Sequence, residues 1–285
     1  MITSEVHQSD ETREGLRTSR LLFNPPRDWS LHRASRRSPE GEGHLAITLR
    51  HSTCTALEDV GQQVWGASLL LCDFLLHKET AWRDLTLFEV GGGVGLVSII
   101  ASLVSDKGVY YTDHLDSVLN LARENVARNS HIAATLNKIA SPTFFRIFDW
   151  KLPRHARNGG PLPISWESSD TDALAAPCVF LAADVIYDDG LTELLFEALR
   201  SIVRCGERIY FALEKRYNFT LSRLQLEPTG YAVFRSQFHS HEIEDSDMSD
   251  KWFTGRSIDL NFPQRFLNYE RTKDMELWVL IRTKE

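Results

Sequence analysis

Cysteine is scarce: Cys54, Cys72, Cys178 and Cys205 are the only four in 285 residues, and each stands alone. Without a Cys-x-x-Cys pair, neither a zinc site nor a disulfide framework is suggested, and a reducing intracellular compartment is expected. No apolar run approaches the roughly 20 residues needed to cross a bilayer. The N-terminus carries Glu5, Asp10 and Glu11 where a secretory signal has its apolar region, and these acids also argue against a mitochondrial presequence. Positive charge is in deficit as well. A net charge of -7 excludes the basic balance of a nucleic-acid binder and leaves an acidic surface suited to basic partners. There is no internal repeat. His239-Ser240-His241-Glu242 has metal-ligand spacing, but no third ligand cluster supports it, so no metal is expected.

What is present fits one large α/β domain with a short extension. Residues 1–43 are polar, rich in Arg, Ser and Pro, and aperiodic, which predicts a mobile extension. Its basic stretch from Arg13 to Arg37 is either a solvated tail or a nuclear-import signal. The domain proper spans 44–285. His44 to His51 alternates like a strand, and Val64 to Leu76 reads as a buried helix. Strand and helix then alternate: a strand ending at Val90, helix 96–104, strand Gly108–Asp113, helix 116–129 and strand Thr143–Phe148. A Pro/Gly/Ser-rich loop insertion covers 151–177. After it come strand Pro177–Val185, helix 190–203, strand Arg208–Leu213 and a helix beginning near Phe219. Arg265–Tyr269 and Glu276–Arg282 should pair antiparallel at a sheet edge, beyond an acidic run from Glu242 to Asp250. This alternation predicts a doubly wound, mostly parallel sheet.

The most informative segment is Leu85-Thr86-Leu87-Phe88-Glu89-Val90-Gly91-Gly92-Gly93-Val94-Gly95-Leu96. Glycines let a backbone come within hydrogen-bonding reach of a ligand, and the following helix aims its free N–H groups above the turn. A dinucleotide fingerprint needs Gly or Ala at the sixth position, which is Leu96 here counting from Gly91. Glu89 would moreover repel a bound phosphate. S-adenosylmethionine has no phosphate and carries an ammonium and a sulfonium, so the acid suits it. A dinucleotide-type fold and a purely structural glycine turn are the alternatives.

Ligands of open α/β sheets sit beyond the carboxyl ends of the strands, and each end here offers a suitable group. Glu89 can orient the cofactor's amino group. Asp113 can accept from both ribose hydroxyls. Asp149-Trp150 supplies an acceptor for an exocyclic amine and an aromatic wall for an adenine; the plainer reading is a capping Asp beside a core Trp. Ala183-Asp184-Val185-Ile186-Tyr187 closes the fourth strand, where a transferred methyl would lie. Asp184 offers acceptors for an amine, and Tyr187 an aromatic wall for a methylammonium product. Alternatively, Asp184 caps the helix near Gly190 and Tyr187 is core. Glu214-Lys215-Arg216 lines the cleft or forms a structural ion pair.

Taken in order, Trp65-x-x-x-Leu69, Glu89-x-Gly91-x-Gly93-x-Gly95, Asp113, Asp149-Trp150 and Asp184-x-x-Tyr187 resemble the seven-strand protein lysine methyltransferases of the methyltransferase-like group. Leu57-Glu58-Asp59-Val60-Gly61-x-Gln63-Val64-Trp65, Asn129-Ser130-His131-x-Ala133-Ala134-Thr135, Tyr187-Asp188-Asp189 and Glu214-Lys215-Arg216-x-Asn218-Phe219-Thr220-Leu221 match one member in particular. The likeness runs from about residue 45 to the C-terminus. It implies a class I, Rossmann-like methyltransferase with a seven-stranded sheet and an antiparallel C-terminal edge. It implies S-adenosylmethionine with its methionine end near Trp65, Glu89 and Gly91, its ribose on Asp113, its adenine between the third strand end and Trp150, and backbone contacts from Ala183. A nuclear location, with the cytoplasm second, is implied too, and as substrate a lysine of KIN, a nuclear nucleic-acid-binding protein. Departures are Gly92 and Val94 within the turn, where the group often has Ala or Thr, His114 where an apolar residue is common, and Asp184 where the matched member has Glu. The expected activity is methyl transfer to a protein lysine. A small-molecule methyltransferase, which would need a lid such as 151–177, and a non-catalytic cofactor-binding scaffold are the rivals.

Overall fold

Strand and helix follow the alternation of apolar runs and amphipathic stretches in the computed structural model, which describes residues 2–3, 15–29, 44–151, 166–220, 225–240 and 251–284. In chain order the first half contains β1 (Ile2–Thr3), β2 (Arg17–Phe23), β3 (Leu45–His51), β4 (Cys54–Thr55), α1 (Gly66–His77), β5 (Thr86–Val90), α2 (Leu96–Val104), β6 (Val109–Asp113) and α3 (Asp116–Arg128). The second half contains α4 (His131–Thr135), β7 (Thr143–Ile147), α5 (Ser168–Ala175), β8 (Cys178–Ala183), α6 (Asp189–Ile202), β9 (Arg208–Glu214), β10 (Asn218–Thr220), β11 (Gln225–Glu227), α7 (Thr229–Ser236), β12 (Phe238–Ser240), β13 (Phe253–Ile258) and β14 (Met275–Arg282). The main sheet runs β12-β13-β14-β9-β8-β5-β6-β7. Its β5, β6, β7, β8 and β9 are parallel, and β14 is antiparallel to β9 and β13. The sheet thus has eight strands where seven were expected, the additional one being the three-residue β12 beside β13.

Period-two alternation sends successive residues of each central strand to opposite faces. Leu87, Val109, Leu181 and Ala212 enter the core shared with α1 and α2. Phe88, Tyr110, Phe180 and Phe211 enter the core shared with α6 and α7. Burying each Leu, Val or Phe among them contributes about 1.5–3 kcal/mol, so packing on both faces fixes the strand ends that carry the polar groups.

The edges depart from expectation. Arg17–Phe23, expected inside a mobile extension, pairs antiparallel with β3 along its whole length, from Arg17↔His51 to Phe23↔Leu45. Its Leu21 and Phe23 are buried, and Trp29 beyond it lies beneath Lys138, whose Nζ is 3.8 Å from the ring centroid. The hairpin is tied to α3 by side-chain amides that imitate a strand: Asn125 accepts from Arg50 N and donates to Arg50 O, and Asn129 does the same at Thr48. Within the expected loop 151–177, Ser168–Ala175 is a helix, capped reciprocally by Glu167 and Asp170 and anchored by two bonds from Arg146 to Asp170 of 2.6 and 2.9 Å; residues 152–165 lie outside the described residues. The helix expected near Phe219 is instead the hairpin β10–β11.

The antiparallel edge is also built differently. Phe253–Ile258, not Arg265–Tyr269, pairs with β14. Gly255 interrupts the apolar alternation of β13, since a Cβ there would lie within 2.4 Å of the Phe238 ring. The 265–269 segment crosses α1, where buried Asp73 accepts from the amides of Arg265 and Phe266, from the Tyr269 hydroxyl and from Arg271. Such a carboxylate is tolerable inside an apolar helix only with these four donors. Of the acidic run Glu242 to Asp250, all lies outside the described residues, as do His241 and Glu242 of the possible metal motif; His239 and Ser240 belong to β12. Among the described residues no cluster of metal-ligating side chains occurs, and no helix is long and apolar enough to cross a membrane.

Candidate active site

From β5 the chain winds outward through β6 and β7 and returns to β8 on the other side of β5, which opens a crevice over the carboxyl ends of β5 and β8. A cavity of about 480 Å³ fills this crevice. Trp65, Glu89, Gly91, Gly93, Asp113, Asp149, Trp150, Ala183, Asp184 and Tyr187 all line it. Five acids line it in total, with Glu58 as the fifth, against Lys151 and His114 as basic groups. Such a balance disfavours a phosphate and suits a cationic ligand.

The turn after β5 is built to bring backbone close. Gly91 and Gly93 have φ of +66° and +52°, a region that side chains disfavour. A Cβ on Gly91 would stand 2.9 Å from Val185 and 3.2 Å from the Trp150 ring, and one on Gly93 would stand 3.0 Å from the Gly61 carbonyl. The loop is held by Gly92 N donating to Thr112 O, Gly93 N donating to Asp113 Oδ2 at 3.1 Å, and the Tyr111 hydroxyl donating to Gly93 O at 2.5 Å.

Glu89 is 2% exposed, and Ser98 Oγ donates to its Oε2. Burial pushes its carboxyl up to about 8, against the Ser98 bond, and the nearby charge of Asp113 adds to the rise. A neutral carboxyl in this place ionises when an ammonium arrives beside it. Asp113 already accepts on Oδ1 from the His114 amide at 2.8 Å and from His114 Nδ1 at 3.1 Å. The Asp113 bond holds the His114 imidazole above its usual range, against desolvation, and Asp149 adds to the effect. Asp149 accepts from the Lys151 amide at 2.9 Å, while the Trp150 ring walls the turn at Gly91.

At the other end, Asp184 adopts φ +56°, one of two non-glycine residues with positive φ among those described. A left-handed aspartate costs roughly 1–3 kcal/mol unless its surroundings hold it. They do: Asp184 N donates to Ala212 O, and Oδ2 accepts from Arg216 Nη2 at 3.1 Å and from the Ala67 amide, at the start of α1, at 3.4 Å. The cap of α6 is Asp188, which accepts from Leu191 N at 2.8 Å, so the alternative in which Asp184 caps that helix does not hold. Tyr187 is half-buried, and burial, followed by the charges of Asp113 and Asp188, pushes its hydroxyl up to about 12; it is a neutral phenol near neutral pH.

Trp65 donates from Nε1 to Val60 O at 3.0 Å, and its ring face carries the Arg216 guanidinium 5.0 Å from the centroid. Reasoning from sequence had left Arg216 undecided and had missed the 3-10 turn Leu57–Gln62, whose Val60 and Gly61 close the cavity opposite the glycines. Its glycine and acids lie before β5, the first strand of the main sheet in chain order, where no strand-end rule points to a ligand.

Comparison with known proteins agrees with this architecture. Residues 46–159 match the family described as lysine methyltransferase. The chain is 36% identical over 247 residues to methyltransferase-like protein 22 of Homo sapiens, covering 85% of this chain and 59% of that protein. The Mus musculus protein of the same name is 35% identical over 84% of this chain and 60% of its own length. Protein-lysine methyltransferase METTL21E of Mus musculus is 35% identical over 64% of this chain and 65% of its own. The chain therefore spans about three-fifths of the length of the first two relatives. Residues 46–159 thus match the lysine methyltransferase family model, and over most of its length this chain, with its mostly parallel α/β sheet, is similar to methyltransferase-like protein 22.

Proposed function

We propose that this chain transfers a methyl group from S-adenosylmethionine to the side-chain amine of a protein lysine. One observation carries the reading: ten residues chosen for a cationic nucleoside and an amine acceptor line one cavity over the switch point of the sheet. The fit to the cofactor rests on the cradle at Gly91 and Gly93, which a Cβ would fill, and on a buried acid at Glu89. When bound, the cofactor supplies a methyl group on a sulfonium. The protein holds and aims. Glu89 meets the ammonium, Asp113 the ribose, and Asp149 and Trp150 the purine; Trp65 and the Ala183 backbone flank the methionine end. Asp184 and Tyr187 orient the acceptor amine for in-line attack.

The target proposed is a KIN-like nucleic-acid-binding protein in the nucleus. It is supported by the likeness to methyltransferase-like protein 22 and by the net charge of -7, which favours a basic partner. The test is incubation of the pure protein with labelled S-adenosylmethionine and nuclear extract, followed by mass spectrometry. Label on a lysine of KIN supports the whole reading, label on another protein lysine corrects the target, and label confined to small molecules overturns it.

A further inference from the structure

Each carbonyl from Gly92 to Val94 in the turn after β5 has a donor. Gly92 O accepts from the Gly95 amide at 3.0 Å, Gly93 O from the Tyr111 hydroxyl, and Val94 O from Asn125 Nδ2 at 2.9 Å. Val94 lines the cavity, whereas Asn125, fully buried on α3, does not. The other bonds of Asn125 go to the hairpin: its Oδ1 accepts from Arg50 N at 2.7 Å, and Nδ2 donates its second hydrogen to Arg50 O at 2.9 Å. A side-chain amide carries the one acceptor and two donors that this bridge requires. The same face of α3 packs on the other parts of the cradle. A Cβ on Gly95 would stand 3.1 Å from the Ala122 Cβ, and one on Gly61 would stand 3.3 Å from Val118. Val118, Ala122, Asn125 and Asn129 follow at the spacing of one helix face. Resting on the reading of this cavity as the S-adenosylmethionine site, we propose that Asn125 is a positioning residue for the cofactor turn, and that through it the β2–β3 hairpin belongs to the cofactor-binding apparatus.

The turn needs an outside support. Gly91, Gly93 and Gly95 all have positive φ, and glycine loses more conformational freedom on ordering than any other residue. A turn ordered before the ligand arrives binds more tightly, because the cost of ordering is not subtracted from affinity. The bond to Val94 O fixes the planar Val94–Gly95 peptide, and Gly95 is the residue from which α2 starts and directs its first N–H groups. Asn129 provides an internal contrast. It holds Thr48 by the same two bonds, at 2.9 and 2.8 Å, but its remaining hydrogen goes to Asn125 O within its own helix. Both asparagines therefore hold the hairpin, and Asn125 also holds the turn. A strand that composition assigns to a mobile extension, Arg17–Phe23, is coupled in this way to the site through its partner β3.

Three measurements on the full chain test this, with Asn125→Ala and Asn129→Ala, and with Asn125→Ser if the first variant does not fold. Without ligand, hydrogen exchange over residues 91–99 should accelerate at least about fivefold in Asn125→Ala and stay within about twofold of wild type in Asn129→Ala. Calorimetry with S-adenosylhomocysteine should show at least about fivefold weaker binding in Asn125→Ala, the scale of one lost hydrogen bond, and near-normal binding in Asn129→Ala. The KM for S-adenosylmethionine should rise by a similar factor with kcat within about twofold of wild type, since a saturating ligand reorders the turn. Equal effects in the two variants would make Asn125 a structural tie alone and overturn the proposal, as would a fall in kcat at unchanged KM. The third measurement needs no variant: in wild type, S-adenosylhomocysteine should slow exchange at the Arg50 amide at least about threefold more than at the amides of β14. Uniform slowing would be global stabilisation and would equally overturn the coupling. If wild type binds neither ligand, the cofactor reading fails by itself, while exchange without ligand still decides whether Asn125 holds the turn.

Discussion

The two ends of the cavity are made of different materials. The proposed cofactor end is mostly backbone: Gly91 and Gly93 leave room that a Cβ would fill, and the turn is tied down by main-chain donors to Thr112 and Asp113. The proposed acceptor end is side-chain charge: a left-handed Asp184 lines it and is held from behind by Arg216, which lies over the Trp65 ring. A cradle of backbone fails by occlusion, and a charge cluster fails by imbalance. Substitutions at the first end should therefore remove binding, and those at the second should remove transfer while sparing binding.

The largest effect is expected at the glycines. Gly91→Arg places a side chain where even a Cβ would meet Val185 and Trp150, within the space the ligand needs. Neither S-adenosylmethionine nor its demethylated product should raise the melting temperature of this variant. A normal ligand-induced rise would break the comparison, because the cradle would not be where the cofactor sits. Asp113→Ala comes next. It should cost roughly 2–4 kcal/mol of cofactor affinity, the scale of charge-assisted hydrogen bonds. Calorimetry showing unaltered affinity in a folded variant would sink the ribose assignment.

The third test moves to the acceptor end. Asp184→Ala and Tyr187→Ala should bind S-adenosylmethionine within a few-fold of wild type and transfer methyl at least about 10²-fold more slowly, as expected for lost orientation. Methyl incorporation into a lysine-bearing protein, run beside cofactor titration, distinguishes the outcomes. A parallel loss of cofactor affinity would erase the division between the two ends. Asp184→Ala also frees Arg216 from its nearer carboxylate, so Tyr187→Ala is the cleaner of the two.

The same contrast explains what could be read from sequence. The elements beneath the proposed cofactor end are legible because strand, acid and glycine are adjacent in the chain, and β5, β6 and α2 lie where the pattern puts them. The partners at the acceptor end are not, because Arg216 meets Asp184 across 32 positions and no local rule records that encounter. Long-range packing likewise hides β13, whose glycine answers to Phe238, and β2, whose half-polar face gives a weak period and whose partner β3 is itself bonded by the distant amides of Asn125 and Asn129. The segment 265–269 looks like a strand by composition, but its amides are claimed by Asp73 in the middle of an apolar helix.

The smallest expected effect is a pH dependence that sits entirely at the cofactor end. His114 is held above its usual range chiefly by its bond to Asp113. As pH falls through that raised value the imidazole gains a proton, its grip on Asp113 tightens, and the carboxylate is less available to ribose hydroxyls. The sign for folding is the reverse: a raised histidine adds stability that is fully present below about 6.5 and is lost as pH rises through the folded value. The protein without ligand should thus be more stable, and bind cofactor more weakly, on the acid side. Glu89, raised to about 8, pulls in the same direction, because it is neutral at low pH and must release a proton to meet an ammonium. Two variants separate the contributions. His114→Leu should flatten part of a several-fold fall in S-adenosylmethionine affinity between about pH 8 and 6, and Glu89→Gln should abolish the proton release seen when binding heat is compared across buffers of different ionisation enthalpy. An affinity that rises toward pH 6 in wild type would show that neither group faces the ligand as assigned.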